Sequence, residues 1–206
     1  VETVEGNGYE NGLSVKTEYL GGREHVRSLL RSVRGLKQND PFFECHKNKD
    51  IGTKLTHLSS RIKDIIEREG SVLTAKAGHL EQPETEMMVS RIEDLKDIYW
   101  CLTTEIADNI EKIDALTYRA TRPVSLPALQ VFKEINTVLN SIDRLEVRGR
   151  DSAGISVMFL LAEPEFHRYQ AVLKELNIFD QFSERAGFDV LLNRGIHFRN
   201  IENQDG

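Results

Sequence analysis

The sequence predicts an α+β chain that is predominantly helical, built around a long antiparallel helical hairpin. Apolar residues recur in steps of mostly three and four over two stretches, Ile51 to Ile66 and Met88 to Ile113, the spacing of helices with one buried face. A short connection containing Gly78 and Pro83 separates them, which makes the two helices antiparallel neighbours. Further on, Ile155-Ser156-Val157-Met158-Phe159-Leu160-Leu161 is an apolar, β-prone run expected to form a buried strand.

The first segment, residues 1–47, is expected to hold a strand and a helix. Val1–Asn11 reads as a poorly ordered terminus, and Leu13–Leu20 alternates as a strand does until Gly21-Gly22 ends it. From Arg23, Val26, Leu29, Leu30, Val33 and Leu36 fall on one side of a short helix. That helix is expected to stop in the polar turn Lys37–Pro41, after which Phe42 and Phe43 plug a core edge.

The hairpin occupies residues 48–120. Its first helix carries Ile51, Leu55, Leu58, Ile62, Ile65 and Ile66 before Gly70 interrupts it. Its second, from about Glu84 to Leu116, carries Met88, Ile92, Leu95, Tyr99, Leu102, Ile106, Ile110 and Ile113 in near-heptad steps. Tyr99-Trp100-Cys101 is expected to mark its most buried point. Such a hairpin has little core of its own, so the stripes are expected to dock on the rest of the protein, a third helix or a second copy, and homo-oligomerisation through them is one expectation.

Two prolines in Thr121–Pro127 set a boundary before the third segment, 121–206. A helix of about Ser125 to Leu145 tolerates Pro127 in its first turn. Another spans Glu163 to Leu176, with Phe166, Tyr169, Val172, Leu173 and Leu176 inward and Phe179, Phe182 and Phe188 beneath it.

Composition removes several function classes. The 206 residues include 39% hydrophobic and 29% charged positions and carry a net charge of −6, the profile of an ordinary globular protein without a basic footprint for nucleic acid. The cluster Arg23, Arg27, Arg31, Arg34 and Lys37 reads as a solvated helix face. No apolar run approaches the roughly 18 residues of a membrane span, and Val1–Gly12 does not read as a secretory signal, so no membrane partner and a cytoplasmic setting are expected. Cys45 and Cys101 lack CxxC spacing and are expected to be reduced thiols. The six histidines share no HxH or HxxxH spacing, so neither a metal nor a cofactor is expected.

One segment carries chemistry. Leu145-Glu146-Val147-Arg148-Gly149-Arg150-Asp151-Ser152-Ala153-Gly154 lies between the fourth helix and the apolar run. Gly149 and Gly154 permit backbone conformations and approaches barred to other residues, while Asp151 and Ser152 can satisfy loop N–H groups.

This segment resembles the Arg-Gly-x-Asp-Ser-Ala-Gly motif of the class II glutamine amidotransferases, most nearly the glucosamine-6-phosphate synthase (glutamine–fructose-6-phosphate aminotransferase) type, in which Leu-Glu-x commonly precedes it. The match covers about nineteen residues, Leu139 to Val157. The resemblance implies a partial N-terminal-nucleophile αββα sandwich interrupted by the hairpin. It also implies an amino-terminal cysteine that attacks glutamine, with ammonia passed to a sugar phosphate, so glutamine and a sugar phosphate are the implied partners of the full-length protein. By the same resemblance Arg148 and Gly149 lie beside the nucleophile as the catalytic positions, and Asp151 and Ser152 form the substrate-binding loop.

The chain departs from that family in lacking an amino-terminal cysteine, the Cys-Gly-Ile sequence, a His-Thr-Arg-Trp-like loop and an Asn-Gly oxyanion segment. Alone it is expected to be inactive. Two explanations stand: a piece of a longer enzyme, with a helical insertion from about Arg23 to Tyr118, or a descendant that kept the scaffold without the activity. The alternative to both is a non-catalytic helical interaction module.

Other candidates are weaker. Cys45-His46, read as an extended segment, would point thiol and base to opposite sides. Glu81, Glu84, Glu86, Glu93 and Asp94 sit where acidic residues favour a helix start or its solvent face.

Overall fold

The computed structural model describes residues 1–9, 18–76, 78–117, 124–146, 156–187 and 195–197. The chain divides into two compact units, Val1–Gly154 and Ile155–Gly206.

In the first unit, helix α1 (Glu2–Gly6) and a 3-10 turn (Tyr19–Gly21) precede α2 (Arg23–Gly35), α3 (Asn39–Lys47) and the long α4 (Lys49–Lys76). Then come α5 (Gln82–Trp100), a π-helical segment (Cys101–Ala107), α6 (Asp108–Thr117) and α7 (Leu126–Glu146). α5 starts on a capping box, the Glu81 backbone N–H donating to Glu84 Oε2 at 3.1 Å, with Pro83 in the first turn where its missing N–H costs nothing.

α4 and α5 pack as the hairpin that their stripes predict, and α2 closes one side of it. Ile62 and Ile65 meet Met88, Leu95, Ile98, Leu102 and Ile106, with Val26, Leu30 and Val33 added from α2. Met88, Leu95, Ile98 and Ile106 are fully buried, and such side chains each contribute roughly 2 kcal/mol of apolar transfer. The stripe is thus filled from within its own unit. A second cluster joins Phe42 and Phe43 of α3 to Ile113 of α6 and Leu129 of α7.

Several elements differ from their sequence reading. α4 runs through Gly70 to Lys76, because Val72 and Leu73 pack against the core and offset the roughly 1 kcal/mol that a helical glycine costs. Lys37–Pro41 is only partly a turn: α3 begins at Asn39 and holds Pro41 in its first turn. Trp100 is 53% exposed while Cys101 is buried, so the Tyr99-Trp100-Cys101 trio straddles the core boundary, adjacent helical positions facing different ways.

In the second unit, α8 (Glu163–Glu175) and α9 (Phe179–Arg185) are joined at Asn177, whose φ of 55° turns the chain. Leu173 and Phe182 are buried, and the Tyr169 ring meets Phe182 edge-on at 5.6 Å. Two short strands, β1 (Ala186–Gly187) and β2 (Ile196–His197), pair in parallel with Ala186 opposite Ile196.

The α+β sandwich is therefore corrected. The described residues are overwhelmingly helical, and the two-residue β1–β2 pair is the one sheet among them, so no N-terminal-nucleophile αββα architecture is built from these residues. Of the two strands expected from sequence, Ile155–Leu161 takes no regular structure over 156–161, where Met158 is 91% and Leu160 78% exposed. An apolar run becomes a strand only when neighbours take its backbone hydrogen bonds. The other, Leu13–Leu20, lies mostly outside the described residues and ends in the 3-10 turn, with Leu20 at φ 54°.

Candidate functional site

The four residues assigned by resemblance, Arg148, Gly149, Asp151 and Ser152, lie outside the described residues. The nearest described element is α7, which ends at Glu146, two residues before Arg148.

The two thiols are sealed rather than poised. Cys45 sits buried in α3, and burial raises its pKa. Cys101 opens the π-helical segment, lies 3.9 Å from the Val33 carbonyl, and is pushed up to about 11 by burial and then by the Glu105 carboxylate beside it. Both stay protonated and unreactive at neutral pH. Glu105 is itself engaged by Lys37 Nζ at 2.9 Å, and burial raises its pKa less than these partners lower it.

The Cys45-His46 pair is helical, not extended. The two side chains nevertheless diverge, since successive residues of a helix point about 100° apart. His46 turns to α6, where Nε2 lies 2.8 Å from Asp114 Oδ1; the carboxylate can only accept, so Nε2 carries the proton. Its Nδ1 is buried without a partner, which leaves no proton-relay chain to a thiol.

A polar cluster joins the N-terminal residues to the hairpin. Glu69 is fully buried. Its Oε2 accepts from the Tyr19 hydroxyl at 2.9 Å and the Tyr9 backbone N–H at 3.2 Å, and Arg68 Nε donates to Oε1 at 3.2 Å. Arg91, 5% exposed, donates to the Tyr19 carbonyl. Burial and then the Glu69 charge raise the Tyr19 pKa far above the tyrosine range, so the phenol holds its proton. The cluster binds one part of the chain to another.

This cluster escaped the sequence reading, although a signal was there. Glu69 lies four residues after Ile65, and Arg91 three after Met88 and four before Leu95. Charged residues at the apolar phase of two neighbouring helices announce a buried network.

A third constellation links α6 and α7. Asn109 Oδ1 accepts from Asn136 Nδ2 and Asn140 Nδ2, each at 2.8 Å, and Lys112 Nζ donates to Asn140 Oδ1 at 2.6 Å. Beside it, Lys133 Nζ donates to the Lys37 carbonyl at 2.8 Å and lies 4.5 Å from the Phe42 ring centroid, and burial lowers its pKa.

A shallow depression of about 570 Å³ runs along the outside of α4 and is lined by Ile66, Glu67, Gly70, Ser71, Thr74 and Ala75. Glu67 is the one titratable side chain among them, too few for acid–base pairing. No helix among the described residues is long and apolar enough to cross a membrane. No protein-family model, curated protein or solved structure matches the chain.

Proposed function

We propose that this chain is a segment of a glutamine amidotransferase-like protein, contributing the Arg148–Gly154 motif together with a non-catalytic helical module, and that glutamine attack is carried out by a cysteine outside these residues. The observation that carries the reading is the sequence Leu145-Glu146-Val147-Arg148-Gly149-Arg150-Asp151-Ser152-Ala153-Gly154 at the exit of α7. The state of the thiols supports the second half: Cys45 and Cys101 are buried with raised pKa values, so neither serves as the nucleophile. The acceptor on this reading is a sugar phosphate, and two reduced thiols suit a cytoplasmic setting.

The test is glutaminase activity in the protein encoded by the reading frame extended both ways. Glutamate release is expected from that protein, falling at least tenfold on Arg148→Ala, and none from residues 1–206 alone. Absence of glutamate release from the longer protein, or activity in the isolated chain, overturns the reading.

A second reading, a module that docks a partner without any enzymatic role, is favoured by α7, where Val131 and Val138, seven residues apart, are 51% and 45% exposed. Light scattering separates it: a change of mass with concentration, abolished by Val138→Glu, supports docking between copies of this chain.

A further inference from the structure

We propose that Val157–Leu161 pairs, antiparallel about Phe159, with the same segment of a second copy of this chain. The run lies within the second unit, Ile155–Gly206, and leads directly into α8. Over 156–162 the chain makes neither turn nor bend, and Ala162 closes it with an extended ψ of 156°.

Exposure alternates along the run: Val157 53%, Met158 91%, Phe159 60%, Leu160 78% and Leu161 40%. A period of two marks an extended chain with one face against the protein and the other open. The covered face is held by the Phe159 ring, which meets the Tyr169 ring of α8 edge-on at 6.3 Å. Tyr169 in turn meets the buried Phe182 of α9, so the segment is pinned to the centre of its unit. A segment held extended beforehand has less ordering entropy to lose on pairing.

Its backbone is open to a partner. Among the described residues, no hydrogen bond is made by the main chain of Val157–Leu161. A row of unpaired N–H and C=O groups templates another strand, and proteins ordinarily guard such a row with lysine, proline or a bulge. Ile155–Ala162 instead has no charge, no proline and no glycine, the composition of segments that pair with themselves.

The sequence is also self-complementary. Pairing about Phe159 sets Phe159 beside its counterpart, Val157 opposite Leu161 of the second copy, and Met158 opposite Leu160 of the second copy. All five cross-strand pairs are then apolar, Ser156 meets the small Ala162, and the first charge, Glu163, falls outside. Parallel pairing in register would oppose Glu163 to Glu163, which is unfavourable. The antiparallel contact is isologous, the same patch serving both copies. Five residues a side make a small interface, so association depends on concentration. The pairing uses no residue of α7 and does not depend on an amidotransferase origin.

Light scattering and amide exchange of the 206-residue chain, from micromolar to millimolar concentration, test this. Mass should rise toward that of a dimer. Exchange should slow tenfold or more at alternate amides of the run, either the Val157, Phe159 and Leu161 set or the Met158 and Leu160 set. Met158→Lys combined with Leu160→Lys changes two outward side chains and opposes lysines across the pair, so that variant should stay monomeric. The matching double glutamate variant should do the same, and an equimolar mixture of the two should dimerise. Val138→Glu on α7 should change nothing. A wild-type chain or a mixture that stays monomeric overturns the proposal, as does association that survives the lysine variant or is abolished by Val138→Glu. So does protection of these amides by phosphatidylcholine vesicles while the chain stays monomeric, since the run would then be a membrane-inserting segment.

Discussion

Asn136 donates its side-chain amide to Asn109 Oδ1 at 2.8 Å with 3% of its surface exposed, so the contact between α6 and α7 includes a polar pair of one buried and one half-buried asparagine. A shift of α7 by one residue would swing Asn136 away and leave both groups unpaired. The pair fixes the register of α7, which ends two residues before Arg148.

Asn109→Ala should accordingly cost about 2 kcal/mol, because it strands a buried amide donor. The double variant Asn109→Leu with Asn136→Leu should recover most of that loss. Urea denaturation followed by circular dichroism measures both, and an additive loss in the double variant would rule the pairing out.

Ile106 is fully buried within the π-helical segment. Trimming it to Val should cost about 1 kcal/mol, and Ile106→Asp should prevent folding under ordinary conditions. A well-folded aspartate variant with an unchanged melting temperature would contradict the burial of this stripe.

The Cys101 thiol gives the chain an alkaline weakness. Its pKa is raised from 9.0 to about 11, so between those values the unfolded thiol has ionised and the folded one has not. The folded state holds the proton more tightly, and stability falls as pH rises through that window. Denaturation midpoints from pH 8 to pH 11 should decline, and Cys101→Ala should flatten the slope after allowance for its lower baseline. A thiol reagent at neutral pH should label the native chain far more slowly than the denatured one.

Glu5 acts at the other end of the scale. Its hydrogen bond to Arg61, ahead of all other influences, holds its carboxyl below the ordinary glutamate value of 4.5. The contribution is present above that value and lost as pH falls through the lower folded pKa. In wild type, melting temperature should drop more steeply below pH 4.5 than in Glu5→Gln.

Trp100 is the one tryptophan in the chain and is 53% exposed. Its emission should lie close to that of indole in water and be quenched readily by acrylamide. A blue-shifted, protected signal would place it in a covered interface and revive the expectation that it marks a buried point.

The helices were legible because their information is local and periodic: Met88, Leu95, Leu102 and Ile106 announce both the element and its buried face. α3 was not, since Pro41 reads as a breaker until Phe42 and Phe43 are seen to need a wall made by Ile113 and Leu129. The strand expectation at Ile155–Leu161 failed for a related reason, because an apolar run states what it prefers to bury and not who will pair with it. The Glu69 cluster depended on Tyr19, fifty residues away, a distance over which no spacing rule reaches. The motif residues were the most specific part of the sequence and fall outside the described residues.

The π-helical segment Cys101–Ala107 has a consequence for chain length. A π turn absorbs an additional residue, which rotates the downstream helix by about 100° relative to an uninterrupted α-helix. α5 thereby addresses α2 and α4, while α6 addresses α3 through Asp114 and α7 through Asn109. Deleting one residue there would leave every helix its propensity and every stripe its composition, yet turn α6 away from α7. Tolerance of insertions and deletions should therefore collapse at this one interior point of a helix, where substitutions of equal polarity are mild.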